Sequence, residues 1–275
     1  MPDYYRQTSR NGEALSSIGQ LCGDRLGIGL TNDCIYWRHP SERCKFCSIG
    51  LNLKTETRRK TFNDIIEVID AALNDSVSPA RHILLGGGTP SGPDAGALGI
   101  AQIARAIRMQ WDVPIYAMIA APLHNDVLYE LHHAGVTELG MNIELFDRNV
   151  ARELMPGKHQ AIGLERYLEA LALAAGIFGK YNARSIMIVG LESMESTLKG
   201  VDLLASIGVL PILSPFRPFA GTILGERSPP SFEFLWETLE AATEVAAKHD
   251  MPLGPLCIPC QGNTLTIPNH PAYLS

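Results

Sequence analysis

Short apolar runs alternate with longer amphipathic ones along most of the chain, after an irregular N-terminal arm. Apolar residues at helical spacing predict helices at 62–73, 98–110, 125–134, 165–177, 197–207 and 232–249. Continuous apolar runs such as 185–190 are typical of parallel strands buried on both faces. The predicted strands lie at 25–31, 81–85, 113–121, 138–144, 185–190 and 210–213. Strict alternation of strand and helix implies parallel strands joined by right-handed crossovers.

This repeat predicts an α/β fold, either a partial (β/α)6 barrel of the TIM type or an open doubly wound sheet. Periodicity alone does not separate the two. We divide the chain into an N-terminal arm at 1–24, a core at 25–250 and a C-terminal extension at 251–275. The extension carries a Cys-x-x-Cys pair, and the segment 253–267 is a candidate for a further strand.

Composition narrows the class of protein. The 275 residues are 46% hydrophobic and 19% charged, which is ordinary for a globular chain and excludes disordered and fibrous classes. The net charge is −6 without a long Lys/Arg block, so we expect neither nucleic acid nor a membrane surface as a partner. The start of the chain lacks the apolar region of a signal peptide, and no apolar run approaches the ~18 residues of a membrane span. We therefore expect a cytoplasmic protein.

Three of the six cysteines form a C-x9-C-x2-C arrangement, Cys34, Cys44 and Cys47, in a polar loop after the first strand. Three thiolates on one loop suit an iron–sulfur cluster in which one iron has no protein ligand. A structural zinc ion would need a fourth ligand, which His39 could supply. Charged neighbours make the loop a poor core segment, so three unconnected core cysteines are disfavoured. The cysteines by themselves leave iron–sulfur and zinc open.

Other chemistry-bearing residues follow later strands. Gly86–Gly88 and Thr89 follow the second strand, Asn142 and Glu144 end the fourth, and Glu192 follows the fifth. In α/β barrels and open sheets alike, the carboxyl ends of the strands are where sites are assembled. The glycine run lacks the G-x-G-x-x-G spacing of a dinucleotide site, which disfavours a dehydrogenase.

Taken together, these features resemble the radical S-adenosylmethionine (radical SAM) superfamily, and most closely its biotin-synthase-like branch. The resemblance rests on the segment Cys44-Lys45-Phe46-Cys47, on the glycine turn and on the segment 216–222, and it runs from Gly27 to Thr222. It implies a partial (β/α)6 barrel with a C-terminal extension. The family spaces its first two cysteines by three residues, whereas nine lie between them here. We expect the longer loop only to add slack between the ligands.

The resemblance implies that Cys34, Cys44 and Cys47 hold a [4Fe-4S] cluster. The chain would then cleave S-adenosylmethionine reductively to a 5′-deoxyadenosyl radical, which abstracts hydrogen from the substrate. That substrate would be a small molecule or a carrier-bound acyl group, and a flavodoxin or ferredoxin would donate the electron. The cofactor carries the hard chemistry, while the protein binds and orients it.

The same resemblance assigns residues to S-adenosylmethionine. Gly86, Gly87, Gly88 and Thr89 would meet its ammonium group through backbone carbonyls, while Asn142 and Glu144 would bind the ribose hydroxyls. Arg166 would pair with the carboxylate, with Lys158 as the alternative cation. The remaining candidates are two apolar residues against the adenine and one acid in the same pocket: Phe46, Ile188 and Glu192.

The C-terminal pair Cys257 and Cys260 leaves three interpretations open. It could ligate a second iron–sulfur cluster, form a redox pair, or join Cys44 and Cys47 in a four-cysteine zinc site. A second cluster would favour sulfur insertion of the kind that biotin and lipoyl synthases perform. The alternative to radical chemistry is a zinc-binding α/β protein with the four-cysteine structural site.

Overall fold

The computed structural model describes residues 1–51, 60–257 and 260–266. Among these residues, the sheet has seven strands, whose order follows chain order. The strands are β1 (Gln20–Cys22), β2 (Arg25–Thr31), β3 (His82–Gly87), β4 (Ile115–Ile119), β5 (Glu138–Met141), β6 (Ala183–Val189) and β7 (Leu210–Pro215). Within the described ranges, the α-helices are α1 (Leu15–Ile18), α2 (Phe62–Leu73), α3 (Ala97–Arg108), α4 (Asp126–His133), α5 (Arg148–Leu154), α6 (Pro156–Ala161), α7 (Gly163–Phe178), α8 (Met194–Ser206) and α9 (Phe232–Ala247).

The chain forms two compact units, and the first comprises residues 1–35 and 49–139. Within it, β1 pairs antiparallel with β2, while β2 with β3 and β3 with β4 are parallel. Leu26 and Ile28 alternate along β2 as buried positions, and Ile83 and Leu85 do the same along β3. This alternation places one face of each strand in the apolar core. Helix α2 begins at a capping box in which Thr61 is the N-cap.

The second unit comprises residues 36–48 and 140–275. Strands β6 and β7 pair in parallel, from Arg184 beside Leu210 to Val189 beside Pro215. Their near-continuous burial agrees with the apolar runs from which they were predicted. Beyond β7, the N–H of Gly254 donates to the carbonyl of Pro211 at 2.8 Å.

All six predicted strand–helix units are present, with the shifts of one to a few residues at their ends that pattern analysis leaves. The predicted strand 138–144 is the exception, because β5 ends at Met141. Helices α1, α5 and α6 and strand β1 were not predicted. Between 253 and 266, the described residues hold an isolated bridge at Gly254 but no strand, and residues 258–259 and 267–275 of the predicted extension lie outside the description.

Among the described residues, no helix has the length and apolar character that crossing a bilayer requires.

Candidate functional site

In the first unit, the glycine turn after β3 packs directly on the backbone that leads into Cys34. Gly87 has φ = +133°, and a Cβ atom there would lie 2.5 Å from the carbonyl oxygen of Thr31. A Cβ atom on Gly88 would lie 2.9 Å from the amide nitrogen of Cys34 and 3.0 Å from its Cβ. Only glycine permits this separation, since Cβ atoms are not found that close to backbone. Glycine at these two positions therefore allows the backbone at Thr31 and Cys34 to pack directly against the turn.

A further hydrogen bond joins the same two segments, since the N–H of Ile35 donates to the carbonyl of Thr89 at 2.9 Å. Beside the turn lies a cavity of about 200 Å³. Its walls come from the glycine turn, the end of β4 and the start of α3, and include Gly86, Gly96 and Met118. This volume is below the ~300–1,000 Å³ of pockets for whole drug-sized ligands, so it suits one moiety of a cofactor.

In the second unit, the loop that carries Cys44 and Cys47 is fixed by its backbone. The N–H of Lys45 donates to the carbonyl of Leu154 at 2.8 Å, and the carbonyl of Lys45 accepts from the N–H of Leu224 at 3.1 Å. The N–H of Cys47 donates to the carbonyl of Cys44 at 3.1 Å, which makes the Cys-x-x-Cys segment a tight turn. Main-chain bonds thus hold the Cys44–Cys47 segment on both sides, whereas the expectation of slack concerns the longer gap before Cys44 and stays a prediction.

The cysteine loop also contributes to an apolar cluster. Cys44 and Phe46 pack, together with Ile188, against buried residues of the second unit: Leu145, Ala151, Leu154, Met155, Leu191 and Phe216. Phe46 and Ile188 are only partly buried by these contacts. Their packing accounts for both side chains being apolar, and their predicted contact with adenine stays a prediction.

The two candidate ribose ligands lie just beyond β5. The side-chain oxygen of Asn142 accepts from the N–H of Ile186 at 3.1 Å, so the amide continues the pairing with β6. Glu144 bridges to β6 through its main chain, which bonds Ile186 at 3.0 Å and Ile188 at 2.8 Å. Its φ of +64° is left-handed, a conformation that costs a residue with a side chain of order 1 kcal/mol or more. Such strain at a non-glycine residue is a known mark of functional sites.

Lys158 on α6 lies against both of these residues. Its Nζ donates to the main-chain oxygen of Asn142 at 2.9 Å and lies 3.3 Å from Oε1 of Glu144. It also lies 5.0 Å from the centre of the Tyr167 ring. Burial alone would lower the pKa of Lys158, but its electrostatic interactions with Tyr167, Glu144 and Cys44 outweigh burial and raise the pKa above the ordinary lysine value. The ammonium group therefore stays charged although it is almost fully covered.

Glu192, after β6, is committed to the main chain of the turn before α5. Its Oε2 accepts from the N–H groups of Phe146 at 2.9 Å and Asp147 at 2.7 Å. Its Oε1 accepts from the Thr197 hydroxyl at 3.3 Å, and the residue is 7% exposed. Burial raises the pKa of Glu192, although the N–H donors of Asp147 and Phe146 oppose the rise. These contacts give Glu192 a structural task, and its predicted place in the cofactor pocket stays a prediction.

Comparison with protein families settles the class of this chain. A model described as the radical SAM superfamily matches residues 36–204, which is more than half of the 275 residues. The chain belongs to the radical SAM superfamily. The match includes Cys44 and Cys47 and begins two residues after Cys34.

Among curated proteins, the radical SAM chain is similar to bacteriochlorophyllide c C-7(1)-hydroxylase of Chlorobaculum limnaeum. The two are 30% identical over 125 residues, which are 44% of this chain and 31% of the hydroxylase. The chain therefore spans about a third of the length of this relative.

Solved structures show the same fold at low identity. Methylornithine synthase aligns with a TM-score of 0.57 at 14% identity, covering 83% of this chain and 70% of the synthase. HydG, a maturase of the [FeFe]-hydrogenase, aligns with a TM-score of 0.59 at 14% identity, covering 86% of this chain and 52% of HydG. Coproporphyrinogen III oxidase from Escherichia coli aligns with a TM-score of 0.51 at 15% identity, covering 89% of this chain and 58% of the oxidase. The predicted α/β fold of the partial TIM-barrel type is confirmed, as is the superfamily, whereas the biotin-synthase-like branch is not specifically shown.

Membership of the radical SAM superfamily indicates an enzyme and implies a [4Fe-4S] cluster and S-adenosylmethionine as cofactors. The residues present fit that donor set, because three thiols stand on one loop and the absence of a Cβ at Gly87 and Gly88 lets the backbone after β3 lie directly against Cys34. Of the two cations predicted for the carboxylate, Lys158 lies against Glu144, whereas Arg166 on α7 lies 3.4 Å from Glu169 of the same helix.

The C-terminal cysteines lie close together. The two Sγ atoms of Cys257 and Cys260 are 3.0 Å apart, and the N–H of Cys260 donates to the carbonyl of Cys257 at 3.0 Å. Cys260 is buried, whereas Cys257 is only partly covered. This closeness is compatible with a redox pair or with two ligands of one metal site, and the three predicted uses of the pair stay predictions.

Proposed function

We propose that this chain binds a [4Fe-4S] cluster through Cys34, Cys44 and Cys47 and cleaves S-adenosylmethionine reductively to start a hydrogen abstraction. The observation that carries the proposal is the family match together with the glycine turn packed on the backbone of Cys34. When bound, the cluster and S-adenosylmethionine supply a carbon-centred radical that removes a hydrogen atom from the substrate. The chain's own residues hold these groups and exclude water.

The glycine turn would receive the ammonium end of S-adenosylmethionine. Gly86–Gly88 and Thr89 bring backbone to the wall of a cavity of about 200 Å³, where no side chain from the glycines fills the space. Carbonyl oxygens that reach such a cavity can accept hydrogen bonds from an ammonium group. The size of the cavity supports occupation by the methionyl moiety alone.

Asn142 and Glu144 would hold the ribose hydroxyls at the end of β5. The fixed amide of Asn142 and the strained backbone of Glu144 support this assignment, because strain of this kind persists where the surroundings define one conformation. For the carboxylate of S-adenosylmethionine we retain Arg166, with Lys158 as the second candidate. Bidentate pairing with a carboxylate is the particular strength of a guanidinium group.

The reaction that follows hydrogen abstraction is proposed only by class. The similar proteins are a hydroxylase, a synthase, an oxidase and a maturase, and this variety argues against transferring any one reaction. We retain a small molecule or a carrier-bound acyl group as substrate, a flavodoxin or ferredoxin as electron donor, and the cytoplasm as location. Sulfur insertion, as in the biotin-synthase-like branch, would depend on a second cluster at Cys257 and Cys260.

Anaerobic reconstitution tests the central proposal. The wild-type protein should take up iron and sulfide, turn brown, and release 5′-deoxyadenosine from S-adenosylmethionine after reduction. Cys34→Ala should abolish that release with the fold intact by circular dichroism, whereas Cys22→Ala, an exposed cysteine on β1, should behave as wild type. A colourless protein that holds one zinc ion would refute radical chemistry. Loss of activity in Cys22→Ala but not in Cys34→Ala would instead move the first ligand to Cys22.

Counting iron tests the second cluster. A double Cys257→Ser and Cys260→Ser variant should contain half of the wild-type iron if the pair ligates a cluster of its own. Equal iron content in the two proteins would exclude a second cluster at Cys257 and Cys260, and the pair would then have a redox role or no chemical role.

A further inference from the structure

The inserted stretch of the cysteine loop is seated on the first turn of α6. The N–H of Gly157 donates to the carbonyl of Glu42 at 3.1 Å. A Cβ atom on Gly157 would lie 2.7 Å from that carbonyl oxygen and 2.9 Å from Cδ1 of the Tyr36 ring. Tyr36 is 5% exposed, so the ring has little room to move away. Residue 157 must therefore be glycine for the loop to lie where it does.

The stretch is also compact in itself. The Nε of Arg43 donates to the main-chain oxygen of Trp37 at 3.1 Å, and its guanidinium carbon lies 4.5 Å above the centre of the Trp37 ring. The N–H of Glu42 donates to the carbonyl of His39 at 3.0 Å. The residues that lengthen the cysteine spacing thus form a folded turn that ends directly before Cys44.

Main-chain bonds hold Cys44 on both sides. On one side Glu42 is bonded to Gly157, and on the other Lys45 is bonded to Leu154 at the end of α5. The junction between α5 and α6 therefore fixes the position of Cys44.

The residue after Gly157 reaches the other predicted ligand group. Lys158 Nζ bonds the main-chain oxygen of Asn142 and lies 3.3 Å from Glu144 Oε1. Its side chain is 11% exposed and that of Glu144 is 18% exposed, so water competes little for this ion pair. Two consecutive residues of α6 therefore contact the cysteine loop and the end of β5.

We propose that α6 is a positioning element, in which Gly157 seats the loop that carries Cys44 and Lys158 orients the carboxylate of Glu144. One turn of helix would then place a cluster ligand and a ribose ligand relative to each other within the second unit. This inference rests on the proposed function, and it gives Lys158 the role of holding Glu144 rather than that of pairing with the cofactor's carboxylate.

The first test substitutes Gly157 by alanine and compares it with Gly176→Ala on α7, where nothing lies within 4 Å of the added carbon. In a helix interior alanine is favoured over glycine, so Gly176→Ala should equal or exceed the wild type in stability. After reconstitution, a chelator should remove iron from Gly157→Ala about tenfold faster than from the wild type, as is usual when a partner that orients a metal ligand is lost. Iron loss at the wild-type rate would overturn the role of Gly157.

If Gly157→Ala does not fold, Arg43→Met replaces it, because this change loosens the inserted stretch without touching α6. Iron should then leave about threefold faster or more, within the range expected for one lost charge-assisted hydrogen bond. An unchanged rate would contradict the proposal.

The second test separates the two roles of Lys158 by using two ligands, S-adenosylmethionine and free methionine. Lys158→Met should weaken binding of S-adenosylmethionine about tenfold and leave methionine binding unchanged, because only the former has a ribose. Lys158→Arg should restore part of the affinity. Equal weakening of both ligands would assign Lys158 to the carboxylate and overturn the positioning role.

Failure of this inference is distinct from failure of the proposed function. A wild-type protein that takes up neither iron nor S-adenosylmethionine refutes the function itself. A wild-type protein that binds both, with Gly157→Ala and Lys158→Met unchanged, refutes only the role of α6.

Discussion

Replacing Glu192 by alanine should destabilise the protein far more than replacing it by glutamine. The carboxylate accepts main-chain N–H bonds at 2.9 Å and 2.7 Å and a hydroxyl bond at 3.3 Å, and the residue is 7% exposed. Alanine would leave the N–H groups of Phe146 and Asp147 without this acceptor. Each unsatisfied buried group costs about 1–3 kcal/mol, so for the two N–H groups we expect a loss of roughly 2–6 kcal/mol in the free energy of unfolding.

Glutamine keeps one oxygen for the two N–H groups and presents its amide nitrogen to the Thr197 hydroxyl, which can accept. It also removes the cost of burying a charge. We therefore expect Glu192→Gln to stay within about 1 kcal/mol of the wild type at neutral pH. Urea denaturation followed by circular dichroism measures both variants, and equal midpoints for alanine and glutamine would refute the hydrogen-bond argument.

The same variant gives a pH test with a definite sign. Because burial raises the pKa of Glu192 in the folded state, the folded protein holds the proton more tightly than the unfolded chain. The wild type should therefore lose stability as pH rises from the ordinary glutamate pKa through the raised folded value, and then level off. Glu192→Gln should lack that decline, whereas parallel curves for the two proteins would contradict the assignment. Retained S-adenosylmethionine binding in Glu192→Gln would further separate the structural task from a cofactor contact.

Two further substitutions test packing and buried charge. Gly200→Ala should destabilise the second unit by about 1–3 kcal/mol, because the new carbon would lie 2.9 Å from Sδ of the buried Met187. Met187→Ala should destabilise the Gly200→Ala protein less than it destabilises the wild type in thermal unfolding, because the clash is already relieved, and a strictly additive double variant would exclude the clash. The pKa of Asp75 lies below the ordinary aspartate value. Burial alone would raise this pKa, but hydrogen bonds from main-chain N–H donors to the carboxylate outweigh burial. Asp75→Asn should therefore cost about 1–3 kcal/mol at neutral pH, with the difference shrinking as acid protonates the wild-type carboxyl, and a pH-independent difference in urea titrations would argue against it.

Local signals predicted the regular elements well. Helix α2 has the predicted bounds, because Thr61 and Asp64 form a capping box at its start. Strands β6 and β7 were recognisable since burial on both faces demands continuous apolar runs. The position of the candidate residues after these strands was predictable for the same reason.

The contacts that define the site were not predictable from pattern. Strand β5 ends early because the side chain of Asn142 takes over pairing with β6, and Glu144 turns left-handed, neither of which changes the hydrophobic spacing. The burial of Lys158 depends on partners more than ten residues away in the chain, and sequence pattern treats a lysine as exposed. The seating of the cysteine loop on Gly157 likewise depends on contact between distant segments.

The C-terminal segment does more than carry Cys257 and Cys260, because it shields the last strand from other chains. The unpaired edge of a strand offers main-chain groups that another copy can extend into a continuous sheet. Here the carbonyls of Pro211 and Leu213 on β7 accept from Gly254 and Leu265, each at 2.8 Å. A chain shortened to end before residue 251 would expose those groups, and self-association through β7 is the expected consequence.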